Sequence, residues 1–403
     1  MSQNAGILEK EEAMKIEKKL WITLFAFGLF AICFSGWIFS QSTTREKLFW
    51  DNTIQCETKE LKEGEIKSEN IALPEDFDIP RSILFKTTHT IAEVWLDGEK
   101  IYEYGNEPDA PGFMETPGCC WHIVDIPGDS AGKSLEVRII PVYEGYYGNE
   151  VSLVYGTRGD CILKILTDSL GTLVISCGIL FAAVICLILY CGAARRKRRD
   201  KTEAKIEIFL NLGFFSLLVA VWTLVQCGFV QFLIPDGRTL YFVDYFSLFL
   251  FPVPFNFLLY DICKSRYHKV ALVFSSLYLA NMAVDVLLQC TGIIDMSRLL
   301  SVTHVIMVAN AVYTVAIILY EARKKENDVA KKFQYPMYVA MGFGMAEMFL
   351  YYLRRFEQTS ILLSTGTMLF IIMLIWIQVS QYYDQYIQKQ KVIYLQKIAN
   401  MDM

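Results

Sequence analysis

Gly171–Arg199 reads GTLVISCGILFAAVICLILYCGAARRKRR, an uncharged and mostly apolar run that leads straight into Arg195, Arg196, Lys197, Arg198 and Arg199. About twenty apolar residues match the ~30 Å hydrocarbon core of a bilayer. A basic cluster at one end marks the side retained in the cytoplasm. The stretch therefore predicts a membrane-spanning helix whose C-terminal end lies inside. The pattern recurs along the 403-residue chain, whose 54% hydrophobic content exceeds that of ordinary soluble domains.

Eight spans are expected, at 20–39, 167–191, 208–231, 240–262, 270–290, 298–320, 334–353 and 361–381. The first follows Lys15, Lys18 and Lys19 and runs on to Trp37, Ile38 and Phe39 with no obvious small-residue cleavage site, so it reads as an uncleaved anchor. Basic residues recur after the second span, after the fourth (Lys264, Arg266, Lys269) and after the sixth (Arg323, Lys324, Lys325, Lys331, Lys332). All are cytoplasmic if the N-terminus is, and the C-terminus is then cytoplasmic too. The expected division is a cytoplasmic segment 1–19, an anchor 20–39, an extracytoplasmic domain 40–165, a seven-helix bundle 167–381 and a cytoplasmic helix 382–403.

Residues 40–165 carry roughly twice as many Asp and Glu as Lys and Arg within a chain of net charge −5, which argues against nucleic acid as a partner. Their pattern is that of an all-β domain, with short alternating segments bounded by turn residues. Ser82–Lys86 leads through His89 into Ile91–Leu96, and Asp97-Gly98 is a favoured hairpin dipeptide before Lys100–Tyr104. A further pair of strands, Trp121–Ile126 and Leu135–Val142, flanks the turn-rich segment 127–132. Burying one face of each strand predicts a sandwich. Trp95, Tyr102, Tyr104, Trp121 and His122 are candidates for stacking on a sugar, although strand alternation also suits them to the core. Cys56, Cys119, Cys120 and Cys161 fall where oxidation is possible, and their spacing leaves a disulfide open and fits no zinc site.

Four ionisable residues, Asp244, Asp285, His304 and Glu347, lie inside predicted spans, where an anchor needs none. They are expected to line an outward-facing polar cavity or to hydrogen-bond helix to helix. Pro252 and Pro254 predict a kink, with Asn256 able to satisfy freed backbone groups. From Tyr382 to Ile398 neither Gly nor Pro occurs, so a continuous helix should leave the membrane.

The stretch from Ala92 to Tyr102 (AEVWLDGEKIY) resembles the hairpin of galactose-binding-like jelly rolls, which implies that fold and a carbohydrate or other small-molecule ligand. Anchor, β-domain and seven spans together resemble the bacterial seven-transmembrane receptors with diverse intracellular signalling modules. Gln396–Met403 resembles the lead-in to GGDEF domains, with Ala399 and Asp402 at matching positions, whereas a histidine kinase would more typically carry Ser where Asp402 stands. These resemblances imply the sensory part of a diguanylate cyclase in a bacterial inner membrane, with a homodimer as one open assembly and the cyclase expected beyond Met403. A histidine-kinase sensor and a transporter or membrane-bound carbohydrate-active protein are the alternatives. No catalytic, metal or cofactor motif occurs in the chain, so none is assigned. Reporter fusions after Arg199, Lys269 and Lys332 should report cytoplasm and one at Asp97-Gly98 the outside; an inside signal there would refute the topology.

Overall fold

The computed structural model describes residues 53–54, 67–73, 81–106, 111–143, 153–200, 207–264, 266–324, 327–353 and 361–401. The chain divides into two units, Met1–Thr53 and Ile54–Met403, and nearly all of the described residues belong to the second. The predicted segments 1–19 and 20–39, with Cys56 and Asp402, lie outside the described residues.

The β-region comprises β1 (Thr53–Ile54), β2 (Lys67–Ala72), β3 (Arg81–Thr88), β4 (Thr90–Leu96), β5 (Glu99–Tyr104), β6 (Cys119–Ile126), β7 (Ser134–Pro141) and β8 (Leu153–Gly156). They form two four-stranded sheets, ordered β1-β8-β3-β6 and β2-β7-β4-β5. One apolar core lies between the sheets. It takes Ile83, Phe85, Val124, Ile126 and Tyr155 from the first sheet and Val94, Leu96, Leu135, Val137 and Ile139 from the second. Strands β4 and β7 show the alternation expected of strands with one buried face. In β3 the burial is continuous from Ser82 to Phe85, because its outer face is covered as well: the Cys161 thiol of the following helix donates to the Ser82 carbonyl at 3.8 Å.

Two turns shape this region. Asp97 and Gly98 both have positive φ, 48° and 83°, as a two-residue hairpin between β4 and β5 requires. His89, at φ 53°, is the single residue between β3 and β4 and turns the chain from one sheet to the other. The strands predicted on either side of 127–132 are present, but β6 pairs with β3 whereas β7 pairs with β2 and β4, so they lie in opposite sheets.

The helices are α1 (Arg158–Asp200), α2 (Glu207–Val225), α3 (Gly237–Leu250), α4 (Pro252–Ile262), α5 (Val270–Cys290), α6 (Met296–Arg323), α7 (Asp328–Leu353) and α8 (Ile361–Met401). A helix thus occupies each predicted interval from 167 to 381. Five segments among the described residues are long and apolar enough to cross a membrane: Arg158–Arg195, Glu207–Val225, Gly237–Ile262, Tyr267–Cys290 and Met296–Arg323; Ile361–Ile377 is a shorter apolar stretch. Outward-facing side chains such as Phe181, Ile188, Val305 and Val312 are more than 60% exposed, which suits lipid and not water as the surrounding solvent. The chain is a membrane protein with a β-region ahead of its helices.

Several boundaries differ from expectation. Helix α1 starts at Arg158, ahead of 167, because Thr157 and Asp160 form a reciprocal cap: the Asp160 amide donates to Thr157 Oγ1 at 3.2 Å, and Thr157 N–H donates to Asp160 Oδ2 at 3.0 Å. One residue therefore separates β8 from α1. The predicted kink is a break at Phe251 that places Pro252 in the first turn of α4, where its missing N–H costs nothing. Asn256 does not serve the freed backbone; its side-chain N and O are buried without a hydrogen-bond partner among the described residues. The stretches expected as the last span and as a cytoplasmic helix form one uninterrupted α8.

Gly98 and Gly118 both hold positive φ, yet a Cβ at Gly98 would meet open space whereas at Gly118 it would lie 2.5 Å from the Gly237 carbonyl oxygen on α3. Gly98→Ala should cost about 1–2 kcal/mol from backbone strain alone. Gly118→Ala should lower the melting temperature of the detergent-purified chain further, because it also forces strand β6 away from α3.

Candidate functional site

The β-region meets the helices along a polar seam centred on Asp295, the residue immediately before α6. Its backbone is extended, as at an N-cap, but its carboxylate caps no amide of its own helix. It instead accepts from the Thr116 amide at 3.0 Å, the Glu115 amide at 3.4 Å, Gln289 Nε2 at 2.7 Å and the Tyr143 hydroxyl. Asp295 is 4% exposed, and a carboxylate so buried requires donors. Three of these four come from the β-region, two on loop 111–118 and one two residues beyond β7.

Gln289 extends the network. Its Nε2 also donates to the Phe113 carbonyl at 2.8 Å, while its Oε1 accepts from the Met296 amide at 2.9 Å and the Tyr241 hydroxyl at 3.1 Å. Between these polar contacts loop 111–118 inserts Met114 into an apolar cluster with Trp222, Tyr241, Tyr245, Phe249, Met296 and Leu300. A second attachment lies at β6, an edge strand. There Gln231 Nε2 donates to the Trp121 carbonyl, and Gln231 Oε1 accepts from the Trp121 amide, both at 2.7 Å, so that a side-chain amide replaces one residue of a neighbouring strand.

His89 closes the seam from above. It is fully buried, bonds through Nδ1 to Thr116 Oγ1 at 2.8 Å and packs its ring against Tyr143 and Tyr241. Burial pushes its pKa down to about 4, against the pull of Asp295 in the other direction. Burial raises the Tyr143 hydroxyl, and its bond to Asp295 adds to the rise, so Tyr143 remains a donor. The neighbouring Cys119 thiol is pushed up to about 12 by burial and is a poor nucleophile. No disulfide joins Cys119, Cys120 and Cys161 to one another. Among the described residues no group of three or more His, Cys, Asp and Glu is placed to hold a metal ion. The seam is built to join two parts of the protein and holds no activated nucleophile.

Of the five aromatic candidates, the structure groups three. His122 bonds through Nδ1 to the Tyr102 hydroxyl at 2.9 Å and through Nε2 to Thr87 Oγ1 at 2.7 Å, and its ring centroid lies 4.7 Å from that of Tyr104. Tyr104 in turn donates to the Pro117 carbonyl at 2.7 Å, which links this cluster to the loop of the seam. Burial holds the His122 pKa down to about 3. Trp95 lies apart, with Arg138 and Lys100 over its ring at 4.5 and 5.5 Å. Trp121 faces the 3-10 turn Gly228–Phe232.

The four intramembrane residues separate likewise. Asp244 accepts from Gln226 Nε2 at 2.7 Å, and Asp285 from Asn281 Nδ2 at 2.8 Å. Glu347 accepts the Leu362 and Leu363 amides at 2.7 and 3.0 Å and so caps α8 from α7, while His304 Nδ1 bonds the Tyr352 hydroxyl at 2.9 Å. Of the four, His304 and Glu347 line one cavity together. Asp295, Gln289, Tyr143 and Thr116 are residues that sequence reasoning missed; the one signal was Asp295 in helix-capping position. Comparison with protein-family models, curated proteins and solved structures finds no match.

A histidine with a lowered pKa favours the folded state above its ordinary value, and that stability is lost as pH falls from about 6.5 towards 4 at His89 and 3 at His122. At pH 5 each should cost about 2 kcal/mol. Thermal unfolding of the detergent-purified chain should therefore shift to lower temperature between pH 7.5 and 5, and His122→Asn should lessen the shift.

Proposed function

We propose that this chain is the sensory and membrane portion of a bacterial signalling receptor, in which an extracytoplasmic β-domain controls the packing of a seven-span bundle and, through α8, a cytoplasmic output. The observation that carries the reading is the seam: a buried carboxylate at the start of α6 takes three of its donors from the β-region, so a shift of that region acts directly on α5 and α6. The strand order β1-β8-β3-β6 and β2-β7-β4-β5 supports a jelly roll, in keeping with the galactose-binding-like hairpin and with a carbohydrate or other small-molecule ligand. The unbroken α8 supports mechanical coupling from the bundle to Met401. The basic segments support a reading with both ends in the cytoplasm of an inner-membrane protein. The residues Gln396–Met403 favour a GGDEF cyclase as the output, acting in a homodimer that brings two active sites together.

The test measures cyclic di-GMP in cells producing the protein with its output domain. Deleting four residues from Gln388 to Lys391 turns everything beyond by about 40°, whereas deleting seven turns it by about −20°. The four-residue deletion should disturb regulation more. Asp295→Asn, which leaves a buried donor unmatched at a cost of about 1–3 kcal/mol, should uncouple stimulus from output with expression matched. Unchanged output and response in all three variants would overturn the coupling.

A further inference from the structure

Between α2 and α3 the chain makes a short 3-10 turn, Gly228–Phe232, and then runs through Leu233, Ile234 and Pro235 to Asp236, the cap of α3. Phe232, Leu233 and Ile234 are consecutive and exposed, Leu233 by 70%, and the Phe229 ring lies beside that of Phe232 with centroids 6.3 Å apart. A contiguous apolar tip of this kind, outside the spanning helices, marks a contact surface.

Two independent measures put the tip at the edge of the hydrocarbon. Helix α2 has 19 residues, Glu207–Val225, and at 1.5 Å per residue extends about 28 Å, so a span that begins at Glu207 uses up the ~30 Å core close to Val225. On α1 the charged pair ahead of the apolar run is Lys164 and Asp168, joined at 3.1 Å, and no charged residue occurs from Ser169 to Ala194. The Cys227 thiol donates to the Ser169 carbonyl at 3.6 Å, which sets the start of the turn level with the start of that uncharged run. On its other side the turn carries Gln231, whose side-chain amide holds the backbone of Trp121, so it lies where the helices meet the β-region. Asp236, exposed and capping α3, keeps a carboxylate in the headgroup layer two residues beyond Ile234, so any insertion is shallow.

We propose that Phe232, Leu233 and Ile234 form a lipid-contact site that inserts into the boundary between headgroups and acyl chains in the leaflet on the side of the β-region. Apolar side chains at that depth lose contact with water while the polar backbone of the turn stays near the headgroups. Because Gln231 belongs to the same turn, a lipid-held tip also fixes the edge of β6 at the membrane surface. The site depends neither on the signalling assignment nor on which face of the membrane is outside, and it is measured without any output.

The full chain is reconstituted in phosphatidylcholine vesicles with a fluorescent aminonaphthalene amino acid placed at Leu233. The same probe at Phe181, exposed in the middle of α1, reports the hydrocarbon interior, and at Glu99, exposed on β5, it reports water. With 6,7-dibrominated phosphatidylcholine, whose bromines lie near the depth of interfacial apolar faces, emission from position 233 should fall by about half or more. The 11,12-dibrominated lipid should quench position 233 less and position 181 more, and aqueous iodide should quench only position 99 strongly. Phe232 takes the probe if the chain does not fold with it at Leu233. Quenching of position 233 by iodide as at position 99, with none by brominated lipid, would overturn the proposal. Stronger quenching there by the 11,12-dibrominated lipid would overturn the interfacial depth, and protection from both quenchers would assign the tip to a second copy of the chain and overturn lipid contact.

Discussion

A carboxylate that is almost wholly removed from water must be surrounded by donors, and Asp295 imposes that requirement on the whole arrangement. Its partners are the Thr116 and Glu115 amides, the Tyr143 hydroxyl and Gln289 Nε2. Only the last belongs to a helix, so the helices on their own would leave the charge exposed or poorly matched. Loss of one partner from such a group strands the rest, which makes the seam cooperative and not a sum of independent contacts. Loop 111–118, which supplies two of those donors, also inserts Met114 into the helices and bonds His89 through Thr116 Oγ1.

The β-region is attached at two further places, and each restricts it differently. The Thr157–Asp160 cap leaves one residue between β8 and α1, so the last strand and the first helix move together. Gln231 clasps the backbone of Trp121 on the edge of β6. Three attachments at separate positions define an orientation, whereas one would define only a hinge. Rearrangement in the β-region then has to be expressed at the ends of several helices, and discrete repacking is the response available to a close-packed bundle.

Deeper in the helices the polar groups are handled in pairs. Asp244 is matched by Gln226, Asp285 by Asn281 and Glu347 by the start of α8. The first joins α3 to the end of α2 and the last caps α8, while Asn281 lies one turn before Asp285 on α5 and reaches α6 through Thr303 Oγ1 at 3.0 Å; such local pairing is how isolated ionisable side chains are ordinarily accommodated in a low-dielectric surrounding. Asn310 and Asn256 depart from that rule, each with a buried side-chain oxygen that has no hydrogen-bond partner among the described residues.

Local physics was legible in the sequence by itself. Runs such as Gly171–Tyr190 could only become long apolar helices, Asp97-Gly98 could supply the positive φ values of a two-residue hairpin, and the Gly- and Pro-free stretch after Tyr382 could continue as helix. Periodicity also foretold β6 and β7 as strands, but not that they belong to opposite sheets, because alternation specifies which face is buried and not which neighbour pairs with it. The seam was invisible for a related reason: Thr116 and Asp295 are 179 residues apart, and no spacing rule connects them. The tertiary structure alone decided which donors reach that carboxylate, since the partner of a buried charge is set by whatever groups the folded chain brings within hydrogen-bond distance.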